Sequence, residues 1–339
     1  MTPRHHRLRS GKASGTDTGM SDPVFVLGGG AWGTALALHA ARTGAQVHLW
    51  ARNAQTLPNG AMPRLPDYPL PPAVQACSTL PAVTPGCVLV AIPTQHLATV
   101  LPMLPAGINA VLCCKGIERQ TLAFPLDILA RERPDVPGAV LCGPNFAREI
   151  AAGLPAAAVL AAPDHARAQA LSSLLSTPLF RLYASTDCVG VQLGAAAKNV
   201  IAVASGVTIG AGLGENARAA LITRGLAEIT RLATALGGHA ATLAGLAGLG
   251  DLLLTCTGAA SRNYQLGMAL GQGMTTHTAL NSLPGVAEGV TTASALQALA
   301  RSHGVETPIT DCIAAFMEGQ ISLPQATHSL LSRPLKSEV

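Results

Sequence analysis

Three charged residues stand alone in long apolar stretches. Lys115 is the only Lys, Arg, Asp or Glu between Pro93 and Ile117, Lys198 the only one between Val189 and Ile209, and Asp251 the only one between His239 and Arg262. Burying an ionised group is costly unless it has a partner or a task, so such residues are candidates for moving a proton or gripping a charged ligand. Each also has a plainer reading, since a lysine can snorkel to solvent and an aspartate can cap a helix. Asn199 adjoins Lys198, and Gln192 lies one heptad before Asn199 on nearly the same helical face.

Anion binding is the second chemistry on view. Gly28-Gly29-Gly30-Ala31-Trp32-Gly33 follows the apolar run Val24 to Leu27 and precedes a stretch of helical composition, Thr34 to Thr43. In such a strand-turn-helix, Gly28 permits the tight turn, Gly30 lets backbone approach a pyrophosphate and Gly33 lets helix pack on strand, with the helix N-terminus facing the phosphates. About 20 residues on, where an NAD-specific site usually has an acid for the ribose 2′-hydroxyl, the sequence reads Trp50-Ala51-Arg52-Asn53. Arg52 would pair with a 2′-phosphate, which favours NADP(H) and leaves NAD(H) open; a solvated surface arginine is the alternative. Ser261-Arg262-Asn263, ahead of a helical stretch, offers a hydroxyl, a guanidinium and an amide as a phosphate cradle. Simple capping by Ser261 is compatible with that. Gly143-Pro144-Asn145-Phe146-Ala147 ends another apolar run, and Glu288 sits beside Gly289, where it could hold a ribose or an amide or be an ordinary loop acid.

These residues need elements to position them. The runs Gln46 to Ala51, Cys87 to Ile92, Ala110 to Cys114, Ala139 to Cys142 and Ala156 to Ala161 are short and unalternating, as strands covered on both faces are. With helical stretches between them they predict a doubly wound α/β (Rossmann-type) domain with a parallel sheet, over residues 23–187, in which Lys115 follows a strand end where ligands bind. From about Thr186 strand-like runs cease, and Ala-, Leu- and Gly-rich helical stretches predict an all-α second domain over 188–339. Met1 to Asp22 is basic, polar and lacks a signal-peptide core, so residues 1–22 read as a disordered tail, with a start at Met20 or a transit peptide as alternatives.

Composition narrows the function. The 339 residues carry 12% charged side chains and a net charge of +4, with Arg4, Arg7, Arg9 and Lys12 all in the first dozen. The nearly neutral body argues against nucleic acid as a partner. No run of about 20 uninterrupted apolar residues suggests a membrane span, and Val189 to Ile209 reads as a core helix. Eight cysteines form no CxxC pair and have no histidine at zinc spacing, which predicts no metal site and reduced thiols in a cytoplasm. The oligomeric state is left open, a homodimer included.

Taken in order, Gly28 to Ala37, Lys115-Gly-Ile-Glu118, Gly143 to Ala147, Gly190 to Val200 with its Lys198-Asn199, Gly248-Leu-Gly-Asp251 through Thr255, Ser261-Arg-Asn263 and Glu288-Gly289 resemble the NAD(P)-dependent sn-glycerol-3-phosphate dehydrogenases, in their bacterial form. The resemblance runs from about Val24 to beyond Thr310. It implies reversible reduction of dihydroxyacetone phosphate to sn-glycerol 3-phosphate, a precursor of glycerophospholipids. It further implies that Ala31, Trp32, Arg52 and Ala147 lie along the cofactor, that Lys115 reaches cofactor and substrate, and that Gly143 and Asn145 border the substrate. Lys198 would be the catalytic acid/base. Asp251, Ser261, Arg262 and Asn263 would complete the substrate site, Arg262 also touching the cofactor, with Val286 and Glu288 closing over the dinucleotide. Two places depart from the pattern: Asn145 stands where a hydroxyl residue is common, and Arg64-Leu-Pro-Asp-Tyr68 follows the family's loop only loosely. Two other readings remain open from the residues themselves: a reductase of similar build acting on a hydroxy acid or ketoacid, which would not need the Ser261-Arg262-Asn263 cradle, and a non-catalytic dinucleotide sensor, which would leave Lys198 without a role.

Overall fold

The structure, a computed structural model, describes residues 22–283 and 287–332. Val286 and all of the N-terminal tail except Asp22 lie outside the described residues. The chain runs β1 (Val24–Leu27), α1 (Ala31–Arg42), β2 (Val47–Trp50), β3 (Val74–Cys77), β4 (Cys87–Val90), α2 (Leu97–Val100), β5 (Asn109–Leu112), α3 (Pro125–Glu132), β6 (Gly138–Cys142), α4 (Ala147–Ala152), β7 (Ala156–Ala161), α5 (His165–Leu175) and β8 (Phe180–Ser185). These strands form one sheet in the order β3-β2-β1-β4-β5-β6-β7-β8. Strand order reverses between β1 and β4, and the glycine turn after β1 opens into the crevice there.

β1 and β4 are buried on both faces, which is why their sequences are apolar without alternation. The sheet is parallel except that β7 runs antiparallel to β6. Two of its strands carry no such apolar run. β3 is four residues behind a Pro-Pro pair, and β8 is an edge strand whose alternation places Arg181 and Tyr183 outward.

Past β8 the described residues are helical: α6 (Cys188–Gly210), α7 (Glu215–Ala235), α8 (Ala240–Leu243), a π-helical turn (Leu246–Gly250), α9 (Asp251–Thr257), α10 (Arg262–Gly271), α11 (Thr276–Ser282), α12 (Glu288–Ser302), α13 (Pro308–Met317) and α14 (Leu323–Leu331). Asp187 caps α6, its carboxylate accepting the Gly190 N–H at 2.8 Å and the His239 N–H at 2.9 Å. By length and composition α6 and the run Ala240–Thr257 are apolar enough to cross a membrane. In α6, however, 89% of that apolar window is buried inside the protein. It is a core helix, apolar all round because other helices surround it.

α6 and α10 meet backbone to backbone. A Cβ on Gly206 would collide with the Tyr264 carbonyl, and one on Gly267 with the Val203 carbonyl, so only glycine permits this approach. Asn199, Val203 and Val207 share one stripe of α6 at four-residue spacing, and Asn263, Gly267 and Gly271 share one of α10. The glycines therefore fix Asn263 opposite Asn199, at the end of α10 nearest the sheet.

Candidate active site

The three isolated charges converge on one point. Asp251 opens α9 and is 1% exposed; its Oδ2 accepts from Lys115 Nζ at 2.8 Å and its Oδ1 from Lys198 Nζ at 2.5 Å. Lys198 Nζ also donates to Thr255 Oγ1 at 2.9 Å, and that hydroxyl donates to the Asp251 carbonyl at 2.6 Å, one helical turn back. Lys115 Nζ reaches the Gly143 carbonyl at 3.2 Å. Two ammonium groups thus share one carboxylate where the C-terminal ends of β5 and β6 meet α6 and α9.

Local packing explains why they meet. Gly194 is one turn before Lys198 on the same face of α6, and a Cβ there would lie 2.6 Å from the Ala247 carbonyl. Its absence lets the π-helical turn dock on α6, which seats Asp251 beside Lys198. A Cβ on Gly143 would lie 2.7 Å from Ala158 Cα, so this glycine is required by the β6–β7 packing while its carbonyl serves Lys115.

The electrostatics separate the two lysines. At Lys198 burial outweighs the attraction of Asp251, and neighbouring Lys115 adds repulsion, so its pKa is lowered from the ordinary lysine value. At Lys115 burial also opposes the charge, but the Asp251 carboxylate outweighs it and holds the ammonium above its ordinary value. Burial would push Asp251 up, yet the two cations keep it below the usual carboxylate range. The two lysines are thus shifted in opposite directions around one carboxylate.

The remaining substrate candidates are Ser261, Arg262, Asn263 and Asn145. Ser261 caps α10, its hydroxyl accepting the Tyr264 N–H at 3.3 Å, and Arg262 begins the helix with its side chain exposed. Asn263 donates to Asn199 Oδ1 at 2.9 Å and accepts the Gly289 N–H at 3.0 Å, while Asn199 donates to the Lys115 carbonyl at 3.3 Å. This amide chain joins α10, α6, α12 and the Lys115 loop. Glu288, first residue of α12, lies in the field of Arg262, Lys115 and Lys198, though burial is the larger effect and raises its pKa. Both polar side-chain atoms of Asn145 are buried without a hydrogen-bond partner. A buried unpaired amide is costly, and a polar ligand would satisfy it.

The dinucleotide candidates fit a pyrophosphate. Gly28 has φ 123°, and a Cβ there would be 2.6 Å from the Ala91 carbonyl; a Cβ on Gly33 would collide with the Gly28 carbonyl. A Cβ on Gly30 meets nothing within 4 Å, so open space lies at the N-terminus of α1, whose first turn contains no acid. Ala31 and Trp32 line that turn, and Trp32 Nε1 donates to the Cys113 carbonyl at 3.0 Å, tying α1 to the end of β5. Arg52 is exposed just past β2, and Ala147 begins α4. No cluster of metal-ligating side chains occurs among the described residues.

The site contains participants that the sequence did not single out for a role. Thr255, four residues after Asp251 on one helix, was detectable from that spacing alone. Cys142, whose Sγ lies 3.4 Å from Asp251 Oδ2, had no local signal. Gln192, one heptad before Asn199 on α6, accepts the Leu126 N–H at 2.9 Å and ties α6 to α3.

A glycine turn at the reversal of a mostly parallel sheet, joined to a buried lysine-carboxylate centre on a helical domain, defines a two-domain dinucleotide-dependent oxidoreductase. The family models for the N-terminus and C-terminus of NAD-dependent glycerol-3-phosphate dehydrogenase match residues 23–168 and 187–328. The NAD(P)+ glycerol-3-phosphate dehydrogenase of Gluconobacter oxydans (strain 621H) is 54% identical over 315 residues, covering 92% of this chain and 97% of that protein. Its counterpart in Caulobacter vibrioides is 46% identical over 329 residues, covering 94% and 99%. A crystal structure of glycerol-3-phosphate dehydrogenase from Coxiella burnetii matches with TM-score 0.87 at 37% identity, covering 92% of this chain and 99% of that one. The chain belongs to the NAD-dependent glycerol-3-phosphate dehydrogenase family.

Proposed function

We propose that the protein reduces dihydroxyacetone phosphate reversibly to sn-glycerol 3-phosphate, with Lys198 as general acid/base, and so supplies a glycerophospholipid precursor in the cytoplasm. The observation that carries this reading is the pairing of Lys198 and Lys115 on Asp251, with only Lys198 lowered from the ordinary lysine value. The names of the relatives support the substrate and the use of NAD(P). Bound NAD(P)H supplies the hydride to substrate carbon 2. Lys198 Nζ gives its proton to the oxygen on that carbon as the hydride arrives, and takes it back in the oxidation. Asp251 and Thr255 hold the ammonium in place. Lys115, charged throughout, neutralises developing negative charge on the same oxygen.

For the phosphate, Arg262 offers a planar fork beside the free N–H groups at the start of α10. Ser261 and Asn263 flank it, and Gly143 and Asn145 close the opposite wall. The cofactor would run along Gly28, Gly30, Ala31, Trp32 and Gly33 to Arg52, with Ala147 and Glu288 beside it. Arg52 supports NADP(H) over NAD(H), because only the former has a 2′-phosphate. The domain division proposed is 23–187 and 188–339, consistent with the last strand ending at Ser185 and α6 starting at Cys188.

The test is consumption of NADPH and of NADH with dihydroxyacetone phosphate, dihydroxyacetone, and a ketoacid as substrates. The reading requires turnover with dihydroxyacetone phosphate and at least about a hundredfold loss of kcat/KM without the phosphate. Faster turnover of the ketoacid would reject the cradle at α10.

A further inference from the structure

Asp251 has a further neighbour that the lysine chemistry does not use. Cys142, the last residue of β6, is 2% exposed, and its Sγ lies 3.4 Å from Asp251 Oδ2, the oxygen that also receives Lys115. The alternative acceptor, the Ala247 carbonyl, is farther away at 3.9 Å. We propose that Cys142 is a positioning residue for the reaction: its S–H donates to Asp251 Oδ2, drawing electron density from the carboxylate and so loosening its hold on the Lys198 ammonium.

The thiol is suited to this as a neutral donor. Burial pushes it up to about 12, so it keeps its proton across the working range and adds no charge of its own; only the ionised thiolate would raise the two lysines. A hydrogen bond to a carboxylate stabilises the negative charge locally and weakens its pull on other cations. Without the thiol, Asp251 would bind Lys198 more tightly, and Lys198 would keep its proton to higher pH. The charged and titratable groups that bear on this centre are Lys115 from the loop after β5, Asp251 and Cys256 from α9, Glu288 from α12 and Arg262 from α10. None of them is removed by substitution at Cys142, which acts on the lysines through Asp251.

The inference rests on the assignment of Lys198 as acid/base, and the experiment separates the two. Profiles of kcat against pH are measured for ketone reduction and alcohol oxidation in the parent, Cys142→Ala, Cys142→Ser and Lys198→Met, with KM and NADPH affinity at each pH. A thiol hydrogen bond is at the weak end of its class, so Cys142→Ala should move both limbs upward by about 0.5 pH unit, with KM and NADPH affinity unchanged. On the acid side of the oxidation limb that shift reads as roughly a threefold loss of kcat. Cys142→Ser retains a donor and should return the limbs to within about 0.2 unit of the parent.

Limbs that stay put in Cys142→Ala, or that move equally in Cys142→Ser, would overturn the role of the thiol. If the limbs vanish in Lys198→Met while Cys142→Ala leaves them unmoved, the lysine assignment stands and the thiol assignment alone fails. If they persist in Lys198→Met, the titrating group is not Lys198 and both assignments fall. Should Cys142→Ala not fold, Cys142→Ser still decides, because a shift beyond 0.2 unit with the donor present contradicts the proposal.

Discussion

Asp251→Asn removes the one negative charge on which both lysines rest, at nearly constant volume. Asp251 is 1% exposed, and the Lys115 and Lys198 side chains are 14% and 8% exposed, so the variant leaves two buried cations without a counter-charge. Breaking a buried ion pair from one side costs about 3–5 kcal/mol. In a chain of this size that corresponds to a fall in Tm of roughly 4–7 °C near neutral pH. The pH dependence has a definite sign. In the parent, the raised Lys115 contributes stability that is complete below its unfolded value of about 10.4 and lost as pH rises through its folded value, whereas the depressed Asp251 contributes above about 3.9 and fails as pH falls through its folded value. In the variant both lysines are depressed by burial, so the unfolded chain binds more protons between their folded values and about 10.4, and stability climbs with pH. The gap in Tm between parent and variant should therefore narrow from about pH 7 to about pH 9.5. Scanning calorimetry across that range measures it. A gap independent of pH, or one below about 2 °C throughout, would refute the buried triad.

Arg52→Ala should lower kcat/KM for NADPH by about 10- to 100-fold and leave NADH nearly unchanged, because a charge-assisted bond to the 2′-phosphate is lost; equal losses for both cofactors would remove the contact. In Gly267→Ala the new Cβ would strike the backbone of α6, so we expect a loss of about 1–3 kcal/mol in chemical denaturation and a raised KM for the phosphate substrate as Ser261, Arg262 and Asn263 move from Lys198. An unperturbed KM would show that this helix contact does not position the cradle. Glu228 accepts the Ile309 and Thr310 N–H groups at 2.7 and 3.3 Å, and burial pushes its carboxyl up to about 7. Its native proton is held above the unfolded value of about 4.3, so stability at this residue falls as pH rises through that window, and Glu228→Gln should flatten the slope of Tm between about pH 5 and pH 8.

Much of the site was legible because its residues break the pattern around them. A lone lysine in α6 and a lone aspartate in an apolar run are visible as anomalies, and the glycine turn is visible because its backbone demands it. What the residue pattern did not show is that Lys115 rests on the same carboxylate as Lys198 and is held above its ordinary value by it, because that sharing is set by tertiary packing. Cys142 was hidden for a related reason, since a cysteine ending a buried strand reads as core until Asp251 is placed beside it. Among the strands, β3 (Val-Gln-Ala-Cys, close behind Pro71-Pro72) and β8 were too polar to register, since each is an edge strand that exposes part of its sequence to water. The antiparallel turn of β7 follows from chain routing through the short α4, which no residue pattern announces. The glycines of α6 and α10 read as diluted helix propensity in sequence, yet they let the two backbones meet and bring Asn263 to Asn199, next to Lys198 in sequence.

The central claim is that Lys198 moves the proton at the substrate oxygen, and Lys198→Met tests it most directly. Methionine suits an apolar helix, so the variant should fold and bind NADPH as the parent does. Its kcat for dihydroxyacetone phosphate should drop on the order of 10²- to 10⁴-fold. The parent's reduction should decline at high pH as the lysine loses its proton and its oxidation should decline at low pH as it gains one, and both limbs should be missing from the variant. Retention of most of the turnover with the limbs intact would contradict the claim and move the acid/base role to another group in the centre.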